Sequence, residues 1–188
     1  MIRILLICDI DGVLIPFPAA DGQIPATHAV DWAQFTGKDE PVRIWLNPAH
    51  GEQLISLVET TGAEPAWCST WREDSAPQIG ARLGLPAWPS VQLPTPPTDS
   101  GHQDGHLWKH PHVIEHARDA ALIWIDDDFT AADHAWAGER AAAGNPTLLI
   151  EPDPYIGLTA QHIDAALAWV AGLRAGYQAA REPEVKAA

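Results

Sequence analysis

Residues 4–14, ILLICDIDGVL, run apolar side chains unbroken to Asp9, place a second aspartate at position 11 and follow it with glycine. An apolar, β-branched-rich run without helical period reads as a strand buried on both faces, which requires a parallel sheet covered by helices on either side. Two like charges at the end of such a strand are costly to hold together. That cost asks for a compensating group, and the rest of the chain shows where it comes from.

The same reading places further strands at VRIWL (42–46), AEPAWCST (63–70), ALIWID (121–126) and PTLLI (146–150), with a short one inside 90–93. Between them lie helix patterns. Asn47-Pro48 opens one that runs to Thr61, with Leu54, Leu57 and Val58 as its stripe and Gly62 as its stop. Others cover 75–86, 109–118 and 130–143, the last with Thr130 as cap, and Ile163, Leu167, Val170 and Leu173 mark a final helix. Strands alternating with helices predict an α/β fold with an open, doubly wound parallel sheet. Residues 16–40 read as a small flap with a short hairpin, and 86–105, with five prolines, as an irregular loop placed to cover an entrance. We expect one catalytic domain over 1–178 and a disordered tail over 179–188.

Net charge narrows the partners. The chain carries 25 acidic against 11 basic residues, a formal charge of -14, which disfavours binding a nucleic acid along its length while leaving room for one terminal phosphate in a pocket. No 18-residue apolar run is present and the apolar start is too short for a signal peptide, so the expected setting is cytoplasmic, with no membrane contact. Cys8 and Cys68 are too few for a disulfide framework and lack zinc-site spacing, so both are expected as reduced, structural thiols turned away from the strand ends. The nine tryptophans read mostly as packing residues. Trp71 and Trp108 are the candidates for pocket walls.

In an open parallel sheet, ligands bind beyond the carboxyl ends of the strands. Here one strand ends in Asp9 and Asp11, another in Ser69-Thr70 and a third in Asp126-Asp127-Asp128, while Lys109, one of three lysines, opens the helix leading into the third. Carboxylates gathered at one rim raise one another's pKa unless a cation is present. A hard divalent cation with oxygen ligands resolves the conflict, and Mg2+ fits a site of few carboxylates plus a phosphate. Lys109 and the Ser69 hydroxyl, or its neighbour Thr70, then face the remaining phosphoryl oxygens. Asp9, at the last strand position, is placed to attack phosphorus in line and form an aspartyl-phosphate. Asp11, already in the turn, is placed to protonate the leaving oxygen and later take a proton from water, and Gly12 lets the backbone turn so that both face one pocket.

These segments together resemble the four motifs of the haloacid dehalogenase-like (HAD) superfamily, in the right order and across residues 5–133. AWCSTW and WIDDDFTAADHAW are further similar to HAD domains of RNA-repair proteins. The resemblance implies a Mg2+-dependent phosphoric monoester hydrolase with Asp9 as nucleophile, Asp11 as acid/base, and Ser69 and Lys109 on the phosphoryl group. It implies metal ligation by Asp9, the main-chain carbonyl of Asp11 and Asp127, with Asp126 in support and Asp133 as a further acid.

The same residues allow competing readings. A calcium loop from Asp9 fails, because Val13 and Ala20 stand where oxygen ligands are needed. The histidines at 102, 106, 110, 112 and 116 invite a second metal site, but they lie largely in irregular chain without a nearby cysteine, and substrate contact is the plainer role. A dehalogenase needs no metal and leaves Asp11 and the 126–128 cluster unexplained. The expected function is a phosphatase with a minimal cap acting on a nucleotide or other phosphorylated small molecule. The alternatives are a polynucleotide-end or phosphoprotein phosphatase, and a non-catalytic binding module of the same fold.

Overall fold

In the computed structural model, which describes residues 2–95 and 103–186, β1 (Ile4–Cys8) is buried along its whole length at the middle of a four-stranded sheet. Its neighbours are β4 (Glu64–Trp67) on one side and β5 (Ala121–Ile125) on the other, with β6 (Thr147–Ile150) outside β5, and all pairs are parallel. Side chains alternate cleanly. Ile4, Leu6 and Cys8 face one apolar cluster with Ile123 and Ile125, while Leu5 and Ile7 face a second with Leu122 and Trp124. The sheet therefore needs cover on both faces, and four helices supply it. Leu54 and Leu57 of α1 (Ala49–Thr61) and Ile163 and Val170 of α4 (Ala160–Lys186) fill the first cluster. Val113 and Ala117 of α2 (His110–Ala117), with Trp136 of α3 (Ala131–Ala142), fill the second. Truncating a fully buried leucine such as Leu6 to alanine is expected to cost about 2–5 kcal/mol.

The end signals of α1 and α3 act, although Pro48 rather than Asn47 takes the N-cap position of α1. Asn47 accepts the Ala49 amide at 3.0 Å, Gly62 adopts φ 57° beyond α1, and Thr130 and Asp133 form a reciprocal capping box on α3. Cys8 and Cys68 are free and buried, on opposite faces of the sheet. Burial pushes both thiols above their ordinary pKa.

Several expectations change. VRIWL is a strand, β3 (Val42–Leu46), but it pairs antiparallel with β2 (Ala29–Ala33) in a separate two-stranded flap and does not join the parallel sheet. The flap therefore reaches to Leu46, beyond the expected 16–40. Burial of β3 is partial and alternating, the mark of a strand with one wet face. The helix read over 75–86 is a chain of short tight and wide turns from Arg72 to Leu83. The short strand at 90–93 is a single bridge, Ser90 against Trp67. The last helix continues through Gly176 to Lys186, into the segment 179–188 expected as a tail. An isolated glycine costs only about 1 kcal/mol inside a run of alanine and other good helix formers. Of the proline-rich segment, residues 96–102, including His102, lie outside the described residues. No helix among the described residues is long and apolar enough to cross a membrane.

Candidate active site

The chain places β4 on one side of β1 and β5 on the other, so the direction of winding switches at β1. Such a switch leaves a crevice at the carboxyl end of the central strand. Asp9 leaves β1 there, its backbone N–H bonded to the Ile125 carbonyl at 3.0 Å, and Cys68 N–H bonds the Cys8 carbonyl at 2.9 Å. Three strand ends are thus fixed to one another by main-chain bonds before any side chain is considered.

A cavity of about 300 Å³ opens at this point, lined among others by Asp9, Asp11, Thr70, Trp108, Lys109, Asp126, Asp127 and Asp128. Lys109, only 4% exposed, puts its ammonium between two carboxylates. It donates to Asp9 Oδ2 in a short ion pair and to Asp126 Oδ2 at 2.8 Å. Asp9 Oδ1 is held by the Ile10 N–H at 2.7 Å. Asp11 turns the other way. Its Oδ2 accepts from the Thr70 hydroxyl at 3.2 Å and its Oδ1 from the Trp71 indole at 3.3 Å.

Carboxylate oxygens of Asp9, Asp126 and Asp127 lie within 4.8 Å of one another. The fully buried Oδ1 of Asp126 has no hydrogen-bond partner among the described residues. A buried carboxylate oxygen left without a donor is costly, and three converging carboxylates are the donor set a hard dication takes. These residues fit Mg2+.

The charge balance points the same way. Burial alone would lower the Lys109 pKa, but the carboxylates of Asp126 and Asp9 outweigh it and hold the ammonium charged. Asp126 moves up, because burial exceeds what Lys109 returns to it. Burial, with the charge of Asp9, lifts Asp127 to about 6. One ammonium cannot neutralise this many carboxylates, so Lys109 stays protonated and the excess negative charge raises its neighbours. Asp11 also rises to about 6, through burial and then the charge of Asp9, with the bonds from Trp71 and Thr70 opposing the rise.

Of the residues expected at the site, Asp9, Asp11, Thr70, Lys109, Asp126 and Asp127 line this one cavity. Ser69 does not: it is 2% exposed, and its hydroxyl takes the Trp71 N–H at 3.5 Å. Asp133 lies elsewhere. Its Oδ2 receives the Leu107 N–H at 3.0 Å and both donors of Thr130 at 2.9 Å, and its Oδ1 the His106 ring at 3.2 Å. It joins the loop before Lys109 to the start of α3 and is not gathered with the three carboxylates of the cavity. The indole bond from Trp71 to Asp11 was not foreseen as a polar contact, although the tryptophan's place beside Ser69-Thr70 was the available signal.

Residues 5–163 match the family described as the HAD domain in Swiss Army Knife RNA repair proteins. The chain belongs to that HAD family. Two solved structures are similar to this HAD chain. One is from Vibrio cholerae, described as a 3-deoxy-D-manno-octulosonate 8-phosphate phosphatase, at 16% identity over 90% of this chain and 83% of that one, with a TM-score of 0.36. The other is from Legionella pneumophila, described as a HAD-superfamily hydrolase of subfamily III A, at 16% identity over 94% and 90% of the two chains and the same TM-score, 0.36. No curated protein matches the chain.

Proposed function

We propose that this HAD domain is a Mg2+-dependent phosphatase that hydrolyses a phosphate monoester through an aspartyl-phosphate on Asp9. The observation that carries the reading is the convergence of Asp9, Asp126 and Asp127 around an unpartnered Asp126 oxygen, with the Lys109 ammonium on the same carboxylates. Asp9, Asp126, Asp127 and the main-chain carbonyl of Asp11 would hold the cation, which when bound offsets the charge of carboxylates and phosphoryl oxygens alike.

The protein's own groups do the rest. Ile10 N–H and Lys109 fix the two oxygens of Asp9, so one carboxylate geometry faces the phosphorus. Lys109 neutralises charge on a phosphoryl oxygen as the ester bond breaks, and the Thr70 hydroxyl, released when the Asp11 carboxyl is protonated, offers a second donor. Asp11 gives its proton to the leaving oxygen, then takes one from the water that attacks the phosphorylated Asp9.

The leaving group belongs to a nucleotide or another phosphorylated small molecule. The family's occurrence in RNA repair proteins favours a phosphorylated RNA end over a phosphoprotein as the larger alternative, and the charge of -14 confines contact to the terminal nucleotide. The flap carries no helix that would close over a small substrate.

The test is phosphate release from an aryl phosphate, nucleotides and 3′- or 5′-phosphorylated RNA oligomers, with and without Mg2+. We expect turnover that needs the cation and that Asp9→Asn abolishes. Turnover indifferent to Asp9→Asn, or absent across the panel, overturns the phosphatase reading.

A further inference from the structure

A second cavity, about 320 Å³, adjoins the first and shares Asp11, Phe17 and Thr70 with it. Its character is different. Phe17, Phe35, Trp45 and Trp71 line it, and among the described residues its charged lining groups are Asp11 and, from the flap, Lys38 and Arg43. Phe35 meets Trp71 edge to face at 5.1 Å between centroids, and Trp45 is locked by its indole bond to the Pro16 carbonyl at 2.7 Å.

The walls are held. Asp74 takes the Thr36 N–H at 2.6 Å and its hydroxyl at 2.9 Å, and Arg82 pairs with Asp31 at 2.9 Å and bonds the Trp32 carbonyl at 2.7 Å. The flap is thereby bound to the turns that follow Trp71, and the slot is a fixed feature rather than a gap between loose parts.

The two cations are informative because the chain has so few. Among the described residues Lys38 and Arg43 make no ion pair with a carboxylate, which is also true of Arg72, Arg118, Arg140 and Arg174, but Lys38 and Arg43 are the two that line the slot, and the Arg43 guanidinium lies 5.8 Å over the Trp45 ring. Both side chains are exposed and line the slot, where they can meet an anion. An aromatic-walled slot suits a planar ring, and the cations suit an anion carried with it.

We propose that this slot is the leaving-group subsite, and that it takes a nucleobase stacked among its aromatic walls while Lys38 and Arg43 hold a second phosphate. The inference rests on the phosphatase reading above and adds to it the chemistry of the substrate: a nucleotide bearing one phosphate to be removed and another that stays. A free nucleoside bisphosphate and the terminal nucleotide of a phosphorylated oligonucleotide share that chemistry.

Two measurements test it. The first compares kcat/KM on an aryl phosphate, a nucleoside monophosphate, the corresponding 3′,5′-bisphosphate and a terminally phosphorylated RNA trimer. The native protein is expected to prefer the bisphosphate or the trimer over the monophosphate by about tenfold, through KM and with strong salt dependence. In K38A/R43A that ratio falls to near one, and Phe17→Ala lowers kcat/KM on nucleotides about tenfold. Preference for the trimer alone assigns the second phosphate to an RNA chain, and equal preference assigns it to either source.

The second measures quenching of tryptophan fluorescence by the bisphosphate in Asp9→Asn, which reads the slot without turnover. Saturable quenching lost in K38A/R43A is expected. Turnover of the aryl phosphate with no preference for the second phosphate, or a preference that survives K38A/R43A, overturns the subsite while leaving the phosphatase standing. Quenching without turnover of any ester by the native protein overturns the phosphatase and leaves the subsite.

Discussion

The carboxylate of Asp127 packs directly on the α-carbon of Gly12, so closely that a β-carbon at position 12 would overlap it. The backbone of Gly12 also has φ 73°, a conformation side chains disfavour. Two independent constraints thus fall on one residue: the turn after Asp11 and the space that the Asp127 carboxylate, just beyond β5, occupies. Gly12→Ala is expected to lower stability by about 1–3 kcal/mol and to cut phosphate release at least tenfold by displacing Asp127. Urea unfolding and a turnover assay check both. Unchanged Mg2+-dependent turnover in this variant would show that Asp127 does not need its observed position.

Asp11 predicts a pH dependence. Its carboxyl, raised to about 6, must be protonated to act on the leaving oxygen, so kcat/KM should fall as pH rises through that value. The bonds from Trp71 and Thr70 favour the ionised form. Removing them in Trp71→Phe or Thr70→Val raises the pKa further and moves this falling limb to higher pH, whereas Ser69→Ala, which touches neither oxygen, leaves it in place. The three pH profiles decide the matter, and a limb that stays fixed in the first two variants removes Asp11 from the acid role.

His50 makes stability depend on pH away from the site. The ring is fully buried, and its Nε2–H donates to the Leu158 carbonyl at 2.9 Å while Nδ1 has no partner. Burial lowers its pKa to about 4, against an ordinary 6.5. A lowered histidine pKa means the unfolded chain binds the proton first. Its contribution is therefore complete above about pH 6.5 and is lost as pH falls towards 4, roughly 3 kcal/mol in all. Urea midpoints between pH 7.5 and 4.5 should show this slope in the native protein and a shallower one in His50→Gln.

Arg140 is a buried guanidinium that makes no ion-pair contact with a carboxylate among the described residues. It donates instead to the carbonyls of Arg118 and Ala120 at 2.7 Å and to the Thr147 hydroxyl at 2.7 Å, joining the turn before β5 to the start of β6. Arg140→Met leaves these acceptors buried without donors and should cost about 3 kcal/mol or more. Arg140→Lys, with one ammonium where a planar fork bridged three groups, should recover only part of it. A native midpoint in Arg140→Met would show that water replaces the guanidinium at no cost.

The sheet and the edge that carries the carboxylates were legible in advance because both depend on local pattern. A short apolar run bounded by turn residues reads as a doubly buried strand, and polar residues directly after such strands emerge at the same edge of a parallel sheet. The hairpin partner of β3 was not legible: VRIWL has the composition of a sheet strand, and only the antiparallel pairing with Ala29–Ala33 shows that it belongs to the flap. Likewise, Asp133 sits in an acidic segment beside the site, yet its oxygens are consumed by Thr130, Leu107 and His106.

What the sequence by itself determined is the set of groups brought to one rim, since strand periodicity and chain order decide which residues end strands there. What only the tertiary structure decided is how those groups are apportioned. Lys109 faces Asp9 and Asp126, Trp71 and Thr70 hold Asp11 away from them, and Lys38 and Arg43 line an aromatic slot. The physical reason is that burial along a strand is a property of neighbours in sequence, whereas a side chain's partner and charge state depend on distances between segments that only packing sets.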